Sequence, residues 1–111
     1  MNEQDNLLWQ KINSETASIR FVELARFFAR GVMLVVDLEM DLVDVAFRIS
    51  KDETRQVTDW QARSLLRFAT DDEALRWNKS DTLLWAVVVA PWVLVQEKKI
   101  DTPSSSRKSP G

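Results

Sequence analysis

The run LLWAVVVAPWVLV, Leu83 to Val95, is the most apolar part of this 111-residue chain, and the fold class turns on whether it is helix or sheet. Val87-Val88-Val89 places three β-branched residues in a row, which lose side-chain freedom in a helix and suit a pleated strand. Pro91 has no N–H to give to a ladder, so one unbroken central strand is ruled out. The run is therefore a strand that bulges at Ala90-Pro91, or two shorter strands that meet there. Alternation along it puts apolar residues on both faces. A small domain is expected to have too little helix to cover both, and an uncovered face or edge seeks a partner. Trp85, Pro91 and Trp92 stand near the centre of that expected contact.

Outward from this run, Val32-Met33-Leu34-Val35-Val36 is a second apolar segment, too short for a helix and bounded by Gly31 and Asp37. It reads as a strand buried on both faces. Leu66 to Ala69 reads as a short strand. The helical signals lie between. Asn6 to Ile12 forms a short helix. Ser18 caps a helix running to Arg30, with Phe21, Leu24, Ala25 and Phe28 on one face and Gly31 at its stop. Asp41 caps the next, which carries Leu42, Val45, Ala46 and Ile49. Ser50 and Glu53 have the spacing of a capping box and open a third helix, Asp52 to Ser64, with Val57 and Trp60 inward. Thr70 and Glu73 form a second box, followed by Ala74, Leu75 and Trp77. Asn78 to Thr82 is a polar loop. The tail from about Asp101, DTPSSSRKSPG, is polar with Pro and Ser and is expected to be disordered.

This order predicts a single α+β domain over residues 1–100, with a tail at 101–111. The expected architecture is winged-helix-like, with helices packed on a short, mostly antiparallel sheet. The segment from Asp41 to Arg67 supplies the helix-turn-helix.

Composition narrows the chemistry. The chain has no His and no Cys, so imidazole triads, thiol nucleophiles, disulfides and zinc sites built on these residues are absent. Two glycines are too few for a phosphate-cradling loop. There is no 18-residue apolar run and no basic-then-apolar leader at the start, so a cytoplasmic protein is expected, with no membrane contact. No cofactor or metal is expected.

Several motifs together resemble a known family. These are Glu15-Thr16-Ala17-Ser18-Ile19, Phe27-Phe28-Ala29-Arg30-Gly31, Asp41-Leu42-Val43-Asp44-Val45-Ala46 and Leu84-Trp85-Ala86-Val87-Val88-Val89-Ala90-Pro91-Trp92-Val93-Leu94-Val95-Gln96-Glu97. The chain resembles, from about Ser14 to Glu97, the small bacterial proteins grouped as domain of unknown function 2288. Relatives often carry Pro after the strand-ending Asp and Gly near the end of the third helix; Leu38 and Ser64 stand in those places here. The resemblance implies a bacterial, cytoplasmic protein and assigns no activity, cofactor or catalytic residue.

Three carboxylate or cationic groupings invite a functional reading. Asp37-x-Glu39-x-Asp41 supplies oxygen ligands, but Leu42 and Arg48 stand where a calcium loop needs Gly and Glu; a solvated turn with a helix cap accounts for it. Asp71-Asp72-Glu73 could pair with Asp37 as an acid/base set, yet acids in a first helical turn are explained by the macrodipole. Arg55, Gln56, Arg63 and Arg67 would face DNA if the third helix were a recognition helix. From Asp37 to Trp60, however, seven acids stand against three bases, which opposes phosphate binding. The leading expectation is a non-enzymatic interaction module that associates with itself or with another protein through residues 83–95. A winged-helix DNA-binding regulator is the alternative.

Overall fold

The computed structural model describes residues 2–98. The expected tail from Asp101 lies outside the described residues. The elements are α1 (Glu3–Glu15), β1 (Ala17–Arg20), α2 (Phe21–Ala29), β2 (Met33–Val36), α3 (Leu42–Ser50), α4 (Thr54–Ala62), β3 (Leu66–Phe68), α5 (Asp71–Lys79), β4 (Leu83–Val89) and β5 (Trp92–Glu97). The fold is α+β. Its five strands form one sheet in the order β1-β4-β5-β2-β3. Three of the pairings are antiparallel, and β2 runs parallel to β5. The sheet is thus mostly antiparallel, as expected; the winged-helix likeness does not follow from this order.

The apolar run from Leu83 resolves into two strands joined at Ala90-Pro91, with Val89 opposite Trp92 and Trp85 opposite Gln96. Side chains alternate between two cores. Ile12, Val45, Ala46, Phe47 and Trp60 of α1, α3 and α4 pack on Leu34, Val36, Val87 and Leu94. Phe21, Leu24, Ala74 and Trp77 of α2 and α5 pack on Met33, Val35, Leu84, Ala86, Val93 and Val95. All four residues of β2 are buried, because helices lie on both sides of it. The expectation of an uncovered sheet face is corrected here: five helices suffice to place layers on both sides. What stays outside is confined to the ends of the ribbon, where Leu83, Trp85 and Val88 are exposed.

Helix starts follow local chemistry. Asp41 Oδ1 accepts from Val43 N (3.0 Å) and Asp44 N (3.4 Å), so it caps α3 as expected. Thr70 and Glu73 make the expected capping box on α5. Two other starts differ. Ser18 lies in β1, paired with Trp85, and α2 begins only at Phe21; the apolar periodicity in fact starts at Phe21, and a β-strand can precede it without a gap. Ser50 is the last residue of α3, and α4 begins at Thr54 with no side-chain cap from Glu53. The Glu53 carboxylate instead receives Arg48 Nη1 at 3.2 Å.

Helix ends share one device. After α2, α3, α4 and α5 the chain passes through a left-handed residue: Gly31, Asp52, Ser64 and Asp81, with φ of 76°, 58°, 60° and 50°. In each case the next residue bonds back to the last full turn: Val32 to Phe27, Glu53 to Arg48, Leu65 to Trp60, Thr82 to Trp77. These are Schellman stops. Only Gly31 announces its own in the sequence.

Candidate functional site

β2 and β5 are the parallel pair, and the chain beyond their carboxyl ends, Leu38–Asp41 after β2 and Gln96-Glu97 at the end of β5, lines one cleft of about 700 Å³. The crevice outside the carboxyl ends of parallel strands is a recurrent binding position. Thr16, Leu38, Glu39, Met40, Asp41, Trp85 and Gln96 line it, with Lys98 beside them.

The loop from Asp37 to Asp41 forms one wall and is held in place by hydrogen bonds. Asp37 Oδ2 accepts from Glu39 N at 3.0 Å, and Asp37 O accepts from Met40 N at 3.0 Å. Gln96 Nε2 donates to both Asp37 O and Met40 O at 2.8 Å. A glutamine in β5, two residues beyond the buried Leu94, therefore fastens the loop to the sheet. This arrangement accounts for Asp37 and Asp41 as an anchor and a cap. Among the described residues, no group of three His, Cys, Asp or Glu is placed to hold a metal ion.

Trp85 forms the opposite wall. It is 40% exposed, with Leu83 and Leu38 also open to solvent. Lys98 Nζ lies 4.6 Å from the centroid of the Trp85 ring, a cation–π contact.

The three residues expected at the centre of an interface do not form one cluster. Trp85 sits at this end of the ribbon. Pro91 is exposed and Trp92 half-buried at the other end, where Trp92 meets Phe68 edge-on at 6.0 Å. Trp85 and Trp92 share a sheet face, but their pairs are four steps apart along the ribbon, about 13 Å. α3 packs on Val87 and Leu94 in between.

The four residues of the DNA-binding alternative also divide. Arg55 and Gln56 are exposed on α4 beside Glu53 and Asp59. Arg63 pairs with Asp59 at 3.3 Å. Arg67 belongs to β3 and reaches toward α5, where it grips Glu73 with two bonds of 2.8 and 2.7 Å. Glu73 is nearly buried and also accepts from Thr70 N at 3.0 Å. The Arg67 guanidinium, with help from Thr70, holds the Glu73 carboxyl down at about 2 against the opposing pull of burial. Glu73 is thus committed to Arg67 and to the helix start rather than to an acid/base pair.

Sequence reasoning singled out Trp85 but missed its neighbours Leu38, Met40, Gln96 and Lys98. Gln96 carried a signal. It falls where alternation from Trp92 and Leu94 calls for an apolar side chain, so its amide was due a specific partner.

Residues 7–97 match the family model described as protein of unknown function (DUF2288), and the chain belongs to that family. The chain is similar to PA1075 from Pseudomonas aeruginosa, known from its NMR solution structure. The two share 42% identity with a TM-score of 0.74, over 92% of this chain and 94% of that one. No curated protein matches the chain.

Proposed function

We propose that this member of the DUF2288 family is a non-enzymatic protein-interaction module of the bacterial cytoplasm that associates with itself through the Leu83–Val95 region. One observation carries the reading: Trp85, 40% exposed, stands beside exposed Leu83 and Leu38 at the mouth of an open cleft, while the middle of the ribbon, Ala86-Val87 opposite Leu94-Val95, is buried on both faces. A tryptophan has the largest apolar surface of any side chain, and such anchors are favoured in interfaces. No described helix is long and apolar enough to cross a membrane, which fits a protein that meets its partners in water.

The DNA-binding alternative draws less support. Its charges are balanced on α4 by Glu53 and Asp59, and Arg67 is engaged by Glu73 on the other side of the sheet.

Size-exclusion chromatography with light scattering tests the proposal. The chain mass is 12.8 kDa. Wild type is expected to rise above that mass with concentration, and Trp85→Ala to stay at it with an unchanged circular dichroism spectrum. A wild type that remains at monomer mass at every concentration overturns self-association.

A further inference from the structure

We propose that the Trp85 cleft receives a lysine- or arginine-bearing segment of a partner protein, and that this chain's own Lys98 occupies the cation's place on the ring. The proposal rests on the docking reading above and adds the chemistry of what docks.

Three features point to a cation. The cleft has apolar walls at Leu38 and Trp85, and its charged lining is Glu39, Asp41 and Glu97 against Lys98. Glu97 Oε2 is already taken by Arg76 (2.9 Å) and Trp77 Nε1 (2.8 Å), and Asp41 Oδ1 by the start of α3, so the Glu39 carboxylate and Asp41 Oδ2 are left to meet an incoming charge. The face of the tryptophan ring is itself attractive to ammonium and guanidinium groups, and Lys98 demonstrates the fit at 4.6 Å.

An anion is disfavoured at the same place. The start of α3 would ordinarily attract one, but Asp41 already covers the N–H groups of Val43 and Asp44. Asp37, Glu39 and Asp41 crowd three negative charges into five residues ahead of that helix, whose Asp44 is offset by Arg48 at 3.4 Å. A phosphate or acidic peptide would enter against all of them. A basic side chain gains from them, and displacing Lys98 returns one lysine to solvent as another takes its seat.

The test uses the full chain and a synthetic octapeptide of alternating lysine and alanine, with a glutamate/alanine octapeptide as its opposite. Trp85→Phe assigns the Trp85 indole N–H signal in the NMR spectrum, and calorimetry gives the affinity. The basic peptide is expected to shift that signal and the acidic one to leave it in place. Lys98→Ala is expected to tighten binding about two- to fivefold by vacating the ring. Glu39→Lys, at an exposed loop position, should weaken it about fivefold, and added salt should weaken it further. The inference is overturned if the acidic peptide binds as well, if the Trp85 signal ignores the basic peptide, or if Lys98→Ala leaves the affinity unchanged. Light scattering on the same samples separates the two readings. Trp85-dependent self-association without a peptide response sinks the basic-partner inference alone; a monomer with no peptide response sinks both.

Discussion

On the α2/α5 side of the β4–β5 ribbon, Leu84, Ala86, Val93 and Val95 are sealed beneath Phe21, Leu24 and Trp77. On the other side α3 seals Val87 and Leu94, while Trp85 and Gln96, paired across the two strands, stand beyond its first turn. Both sides are built from similar apolar residues. The difference lies in where the covering helix begins. α5 and α2 cover the ribbon from Leu84 and Val95 to Ala86 and Val93 and leave Val88 open beyond them, whereas α3 starts at Leu42, after a loop that Gln96 holds at the sheet's end. An open position on a sheet is therefore made by the path of the connecting loop as much as by composition.

Removing one large side chain from each side gives the largest contrast. Trp77 is 1% exposed. Trp77→Ala is expected to cost about 3–5 kcal/mol in urea unfolding, in line with other deletions of buried aromatics. Trp85→Ala should cost less, about 1–2 kcal/mol, because 40% of its surface stays in water on folding of the single chain. Equal losses would break the comparison. A smaller contrast comes from acid. The Glu73 carboxyl sits at about 2 in the folded chain, below its ordinary 4.5, so its bond to Arg67 stabilises fully above that ordinary value. The contribution fades as pH falls from 4.5 toward 2. Discounted for the half-open Arg67, it is on the order of 2 kcal/mol. Glu73→Gln should lose that stability at pH 7 and show a flatter decline between pH 5 and 2 in unfolding titrations. On the open side, Gln96→Ala removes two hydrogen bonds and should cost about 1–2 kcal/mol. Hydrogen exchange at Met40 N–H should speed up, since the loop loses its tie to β5 and keeps its own turn and the Asp37 N–H bond to Leu65 O (2.9 Å).

Much of this frame was legible beforehand. The β2 run was readable because five consecutive apolar residues between Gly31 and Asp37 fit only a doubly covered strand, and the four that form β2 are buried. Asp41 and the Thr70–Glu73 box were readable because capping is local chemistry. Pro91 marked the break between β4 and β5. β1 was not readable: Ala17-Ser18-Ile19-Arg20 carries no strong strand signal, and its place is set by pairing with β4, far along the chain. The Ser50–Glu53 box failed because Asp52 takes the left-handed turn and Glu53 turns to Arg48. The site was half legible. A tryptophan in an apolar strand looks alike whether sealed or open, and only the distant loop from Asp37 to Asp41 decides which.

The repeated left-handed exits bear on how this molecule tolerates change. A side chain at such a position normally pays a conformational toll, and three of the four exits accept it at Asp52, Ser64 and Asp81. Of these, Ser64 is exposed and has no part in the cleft. A glycine there would relax the backbone without touching either core. Variation at that position thus tunes ruggedness, a dial separate from whatever the chain recognises.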